Sequence, residues 1–482
     1  MQPSLSGASP VLLAHSYYLR YDPKQVQKMR PYPPLATMLT ASVLRQHGWD
    51  VQLFDAMLAD GVEAFHRMLA DVRPAIVGIV EDNFNFLTKM CTTRMREAAL
   101  EMVRAAKQTG ARVAVNGADA ADRPRLYLDA GADALIVGDV EPTLLDLVQY
   151  WSGRSDVPEA VPGLMLSAPA DGPHLHPHPN GVRRTAPRPA LEDLDALPFP
   201  AWDLVDHHRY RDAWRGSHQR LSWNVVASRG CPYRCNWCAK PLFGSRYVQR
   251  SPGNVAEELR RLRDTVAPDH VWFADDIFGL TPWWIEAFAR EVVARGARLP
   301  FTMQSRVNLM RPNVVAALAA AGAEEVWLGV ESGSQRVLDA MDKGTRLEQV
   351  RLATRELRAH GIRSGWFVQL GYLGEEWGDI LLTRDLIRAE RPDEIGVSVS
   401  YPLPGTKFFR KVQAQLGVKT NWLHSDDLSM LFSGTYVTEF YKRVRDLLHD
   451  EVRSGQPLDA EWHELERHEA EYRALAAAPL AH

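Results

Sequence analysis

Three of the four cysteines in this 482-residue chain lie in one short stretch, RGCPYRCNWCAK (229–240). Cys231, Cys235 and Cys238 stand in CxxxCxxC spacing. A disulfide would use two of these thiols and strand the third. A structural zinc site would want a fourth ligand. Thiolate sulfur also suits iron–sulfur clusters, and an ordinary four-iron cluster takes four cysteines. Three would leave one iron open to a further ligand, as catalytic metal sites keep an open position. The remaining thiol, Cys91, lies far off in another part of the chain.

The hydrophobic pattern indicates what must hold these thiols. WNVVASRG (223–230) reads as a buried strand running into the cysteines, with a helix over SPGNVAEELRRLRD (251–264). HVWFADD (270–276), PFTMQSR (300–306), EVWLGVESG (325–333), SGWFVQLGY (364–372) and EIGVSVSYPLPG (394–405) repeat the strand pattern with helices between them. Six such units over residues 221–412 fall short of the eight units and about 250 residues of a closed barrel. The expectation is a partial (β/α)6 barrel, with its chemistry at the carboxyl ends of the strands.

Residues 1–155 show the same alternation in VLLAHSYY (11–18), VQLFDA (51–56), AIVGIV (75–80), RVAVNG (112–117) and ALIVGD (134–139). Buried strands alternating with helices imply an α/β fold, here a doubly wound parallel sheet. Its ligands belong at the strand carboxyl ends: Ser16–Tyr18, Asp55, Glu81–Asn83, Asn116–Asp119 and Gly138–Glu141. One long helix is expected from about Leu87 to Gly110. Residues 156–220 read as a linker arm with little core, in which His174, His176 and His178 sit in a solvated loop. Residues 413–482 read as a small helical region.

Composition excludes several functions. A net charge of −4 and 24% charged residues give no basic excess for nucleic acid. No apolar run reaches the roughly 18 residues needed for a membrane span. The N-terminus lacks a basic region followed by an apolar stretch, and four cysteines make no disulfide scaffold. A cytoplasmic protein is expected.

The cysteine motif resembles that of the radical S-adenosylmethionine superfamily, in which three cysteines in this spacing hold a [4Fe–4S] cluster and S-adenosylmethionine chelates the open iron. One electron then cleaves the sulfonium to a 5′-deoxyadenosyl radical. An aromatic residue before the last cysteine is common there, and Trp237 matches. The resemblance puts Asp275 and Asp276 at the cavity end of the second barrel strand, near S-adenosylmethionine. It puts Arg306 at the methionine carboxylate and Glu331 and Ser332 near the ribose or amino group. Gln369 ends the fifth strand, and YPLPGT (401–406), with Pro404, resembles a last-strand signature lying against adenine.

YPPLATMLTASVLRQHGWDVQLFDA (32–56) and GADALIVGDVEPTLLDLV (131–148) resemble a cobalamin-binding, Rossmann-like domain fused to many such enzymes. The match is incomplete. Where many cobalamin domains carry DxHxxG, this chain reads DAMLADG (55–61), without histidine, and NGADAAD (116–122) replaces Gly-Gly-Pro-His. The cofactor candidates on this side are Tyr18, Glu81, Asn83, Cys91, Asn116 and Gly117. EDNFNFLTKMCTTRMRE (81–97) additionally places Asn85, Lys89 and Arg94 toward the expected cavity.

The resemblance implies cobalamin-dependent methylation of an unactivated carbon in a small molecule. The cofactors would be a [4Fe–4S] cluster, S-adenosylmethionine and cobalamin, and the electron donor a reductase, flavodoxin or ferredoxin. Ring closure, rearrangement or transfer of the 3-amino-3-carboxypropyl group are alternative outcomes of the same architecture. A non-enzymatic iron–sulfur redox protein is a third reading.

Overall fold

The computed structural model describes residues 9–153, 161–167, 177–178, 181–239, 243–417 and 419–477. His174 and His176 fall outside them.

The N-terminal strands are β1 (Val11–Ala14), β2 (Val51–Phe54), β3 (Ile76–Val80), β4 (Arg112–Asn116) and β5 (Ala134–Ile136). They form a parallel sheet in the order β2-β1-β3-β4-β5. VLLA and IVGIV are buried at every position, because helices cover both faces.

The sheet continues where a linker with little core is expected. β6 (Leu164–Ser167), β7 (Pro177–His178) and β8 (Val182–Arg184) add antiparallel strands beyond β5, giving an eight-stranded sheet. The three-residue β5 would otherwise leave an open edge of unpaired backbone groups. Leu164, Met165 and Val182 are correspondingly buried.

A short hairpin, β10 (Ser228–Arg229) with β11 (Val248–Gln249), flanks the cysteine segment. The second sheet holds β9 (Ser222–Val225), β12 (His270–Phe273), β13 (Phe301–Ser305), β14 (Ala323–Glu331), β15 (Arg363–Leu370) and β16 (Glu394–Val399). All six are parallel and lie in chain order from β9 to β16, as the partial barrel requires. Ser251 caps the helix Pro252–Thr265 by accepting the Asn254 N–H, with proline at the first helical position. Phe273, Phe278, Phe288 and Phe301 build an edge-to-face aromatic core. The C-terminal region is helical, and its helix Thr438–Ser454 packs on β16.

The single helix expected from Leu87 to Gly110 is two, Phe86–Met90 and Thr93–Gln108. Cys91 breaks it in a left-handed conformation, with φ 41°. The exposed backbone groups are satisfied from far away. The Asn421 amide donates to the Cys91 carbonyl at 3.0 Å, and the Thr93 N–H donates to the Trp422 carbonyl at 2.8 Å.

Candidate functional site

The three cysteines leave β10 at the carboxyl end of the second sheet. Gly230 makes the turn possible: its φ is 77°, and a Cβ there would lie 1.8 Å from the Arg246 carbonyl oxygen. The Cys231 N–H donates to the Gly244 carbonyl at 3.3 Å, and the Cys238 N–H donates to the Cys235 carbonyl at 3.3 Å. All three thiols are free of disulfides and half-buried. Among the described residues no three His, Cys, Asp or Glu side chains converge to hold a single metal ion.

Asn236, inside the motif, pins the loop. Its N–H donates to the Met341 carbonyl at 3.0 Å and its Nδ2 to the Ala340 carbonyl at 2.8 Å. Its Oδ1 accepts from the Tyr372 hydroxyl at 2.9 Å, and its carbonyl accepts from the Phe408 N–H at 2.9 Å. The loop is thereby tied to the segments following β14, β15 and β16. Sequence reasoning missed this residue, because asparagine in a turn is unremarkable until its partners are known.

Arg306 reaches the cysteines directly. Its Nη1 lies 3.4 Å from Cys235 Sγ and its guanidinium sits 3.8 Å over the Tyr233 ring, while Nη2 donates to the Lys343 carbonyl. Glu331 accepts from Lys343 Nζ at 2.7 Å in a buried pair, and Lys343 lies 6.0 Å from the Trp237 ring. Glu331 also holds φ 66°, where the β14–β15 register shifts. Strain of this kind persists only where surrounding structure enforces it. A Cβ on Gly329 would strike Lys343 Nζ at 2.6 Å, so the glycine of GVES makes room for this pair. Lys343 is a second site residue absent from the sequence-based expectations.

Other barrel residues serve the frame. Ser332 is buried, accepts the Ser334 N–H at 3.1 Å and meets the Thr383 hydroxyl at 3.3 Å. Gln369 Nε2 donates to Ser400 Oγ at 2.8 Å, joining the ends of β15 and β16. Pro404 is half-buried just before Thr406, which caps the helix Lys407–Val412.

The acids of FADD do not both face a cavity. Asp275 is fully buried and accepts the Ala227 N–H at 3.1 Å and the Ser228 hydroxyl, bracing the strand that leads to the cysteines. Burial pushes its pKa up to about 7. Asp276 is exposed, since successive residues of extended chain point oppositely.

On the N-terminal side, a cavity opens at the carboxyl ends of the sheet. Tyr17, Glu81, Cys91, Gly117, Asp119 and Tyr127 are among the residues lining it. Glu81 accepts from the Ser16 N–H at 3.0 Å and the Ser16 hydroxyl at 2.6 Å, and burial raises its pKa. A Cβ on Gly117 would lie 2.8 Å from Glu81 Cγ. Asp119 accepts two bonds from Arg96, at 2.8 and 2.6 Å, and one from the Tyr127 hydroxyl at 2.9 Å. Burial pushes the Cys91 thiol well up, so it is a neutral thiol. Asn83 Nδ2 donates to Asn116 Oδ1 at 2.8 Å, and Asn116 Nδ2 donates to the Ile136 carbonyl at 3.1 Å, linking the ends of β3, β4 and β5.

Several residues expected here lie elsewhere. Tyr18 is buried in the core against Phe54, its hydroxyl 3.3 Å from Met102 Sδ; the adjacent Tyr17 takes the cavity position. Asn85 caps its own helix by accepting the Leu87 N–H at 3.0 Å, and Lys89 pairs with Asp122 at 2.7 Å. Arg94 is exposed; Arg96 is the cation that reaches the cavity wall through Asp119. The absent histidine of DAMLADG has a spatial neighbour, because His15 at the end of β1 lies 3.0 Å from Asp55. His15 Nδ1, Tyr17 Oη and Asn83 Oδ1 are buried without partners. Buried polar atoms of this kind call for a bound group that supplies hydrogen bonds, and the amide-rich rim of a corrin fits that need.

Residues 225–387 match the Radical SAM superfamily and residues 30–148 match the B12 binding domain. An uncharacterised methyltransferase of Pyrococcus horikoshii is 27% identical over 87% of this chain and 90% of its own length. The cytidylyl-2-hydroxyethylphosphonate methyltransferase of Streptomyces wedmorensis is 24% identical over 78% of this chain and 77% of its own. The radical S-adenosylmethionine methyltransferase TsrM from Kitasatospora setae, solved with cobalamin and a [4Fe-4S] cluster, superposes with a TM-score of 0.68 at 20% identity. That likeness covers 84% of this chain and 78% of TsrM. With the two family matches lying on the two sheets whose carboxyl ends carry the cysteine loop and the polar cavity, the chain is a radical S-adenosylmethionine enzyme with an N-terminal cobalamin-binding-like domain.

Proposed function

We propose that the protein methylates an unactivated carbon of a small molecule, using S-adenosylmethionine, a [4Fe–4S] cluster and cobalamin. The observation that carries this reading is the loop of three cysteines outside any disulfide, pinned by Gly230 and Asn236 at the carboxyl end of a radical S-adenosylmethionine barrel and joined to a B12 binding domain. Methyltransferases among the relatives support methylation, and the anaerobic magnesium-protoporphyrin IX monomethyl ester cyclases among them keep ring closure as the second reading. The bound cofactors supply radical generation and methyl transfer, and the protein orients them and keeps water out.

Cys231, Cys235 and Cys238 would hold the cluster. Arg306, donating toward Cys235 Sγ, places a guanidinium beside the sulfur that would ligate iron. The buried Glu331–Lys343 pair beside Trp237 offers a carboxylate and an ammonium next to the cysteine loop that would hold the cluster. These are groups suited to the amino and carboxylate ends of S-adenosylmethionine. Glu81, Asn83, Asn116 and Gly117 frame the cobalamin side. We assign residues 1–155 to that domain, extended by the strands β6–β8 that continue its sheet, the remainder of 156–220 to the arm, 221–412 to the barrel and 413–482 to the helical region. A flavodoxin- or ferredoxin-type donor would supply electrons.

Anaerobic reconstitution with reductant and S-adenosylmethionine, with and without cobalamin, tests the reading. Deoxyadenosine together with S-adenosylhomocysteine is the expected pair of products. Methylthioadenosine would instead indicate aminocarboxypropyl transfer. Cys231→Ala, Cys235→Ala and Cys238→Ala should each abolish reductive cleavage, and persistence of cleavage would defeat the assignment.

A further inference from the structure

Arg229 stands two residues before Cys231, yet its side chain belongs to the other domain. Nη1 lies 2.6 Å from Asp139 Oδ1 and 3.1 Å from Glu141 Oε2, and Nη2 lies 2.6 Å from Glu141 Oε1. All three side chains are buried, at 5%, 7% and 1% exposure. The guanidinium packs against Phe84, from the segment after β3, and Phe243, from the segment after the cysteines. Those two rings stack at 5.3 Å. Asp139 also accepts the Leu191 N–H of the arm at 2.9 Å, so three segments meet at this point.

The connection is stiff at both ends. Asp139 and Glu141 sit at the start of the helix Val140–Trp151, directly after β5. On the other side only Gly230 separates Arg229 from Cys231; Arg229 pairs with Val248 in the hairpin, and the Cys231 N–H donates to the Gly244 carbonyl at 3.3 Å. A planar guanidinium held in a fork by a carboxylate fixes orientation as well as distance. An exposed tether would tolerate lysine; a buried fork does not.

We propose that Arg229 is a positioning residue: through Asp139 and Glu141 it sets the separation and angle between the cysteine loop and the carboxyl-end face of the N-terminal sheet. Resting on the function proposed above, it fixes how the cluster and cobalamin stand relative to each other. The sequence places the partners about ninety positions apart, and neither stretch announces the other.

Arg229→Gln, Arg229→Lys and Glu141→Gln are compared with the unaltered full-length protein. Iron, sulfide and cobalamin contents of the unaltered protein come first; failure to load them would defeat the proposed function. The latch itself is read by amide hydrogen exchange over residues 139–148, which needs neither cofactor. Arg229→Gln should speed exchange there by at least about tenfold, with β4 and β14 unchanged, because a local opening is easier than a global one. Arg229→Lys should recover only part of the protection. In the loaded protein, the magnetic interaction between reduced cluster and cob(II)alamin should change in Arg229→Gln while each centre keeps its own signal. Unchanged exchange over 139–148 would overturn the proposal, as would an unchanged magnetic interaction. If Arg229→Gln fails to fold, Glu141→Gln, which leaves Asp139 to the arginine, gives the same two readings.

Discussion

Gly230 carries more of the site than its size suggests. Any side chain there combines a φ of 77° with a contact of 1.8 Å to a carbonyl oxygen, so the hairpin must move and the thiols with it. Gly230→Ala should cost about 1–3 kcal/mol of backbone strain plus the clash. It should also lower iron incorporation although all three cysteines remain; iron and sulfide analysis after reconstitution checks this. Glu375 allows a pH test. It is fully buried in the segment after β15, with Oε1 unpaired, and burial pushes its pKa up to about 8. Its folded-state pKa lies above the unfolded value, so the native state binds more protons between the two. Stability should therefore fall as pH rises from about 4.5 to 8, by up to about 1.4 kcal/mol per pH unit for this one group. Glu375→Gln should flatten that part of the stability curve, measured by denaturant unfolding at several pH values; an unchanged slope would contradict the burial.

At the scale of elements, strand periodicity located the carboxyl ends but not the facing of individual side chains. Tyr17 and Tyr18 are adjacent and chemically alike, and one lines the cavity while the other enters the core. Asp275 and Asp276 divide in the same way, one bracing the strand and the other exposed. A one-residue change of register exchanges such pairs, and only the strand neighbours set it. The segment after residue 160 teaches the same lesson, because its short apolar runs gain meaning only beside the open edge of β5. Met165→Ala should cost about 2–5 kcal/mol if β6 is a buried strand. A surface linker would lose almost nothing, and thermal unfolding distinguishes the two.

Over the whole molecule, the two sheets are not independent bodies joined by a tether. Leu35, Met38 and Leu53 of the first domain share one apolar core with Trp214 and Trp223. Trp214 Nε1 donates to the Pro31 carbonyl at 2.6 Å, Asn224 to the Pro33 carbonyl at 2.9 Å, and the Tyr210 hydroxyl to Asp55 at 2.7 Å. A fragment of residues 1–155 should therefore expose a large apolar face and associate, since such patches are rarely left open. Sedimentation and binding of a hydrophobic dye check this, and a monodisperse fragment would show that the interface is dispensable. No helix among the described residues is long and apolar enough to cross a membrane.

The sequence by itself determined the three thiols, the strands that deliver them and the end of each sheet where ligands belong. Those features depend on spacing and local hydrophobic period, which are written into contiguous residues. Tertiary structure alone decided that Asn236 anchors the loop, that Lys343 joins Glu331, that Asn421 and Trp422 satisfy the break at Cys91, and that Arg229 answers Asp139 and Glu141. Each is a polar group buried against a partner distant in the chain. The cost of leaving such a group unpaired makes the partner necessary, and only the folded path of the chain determines which residue it is.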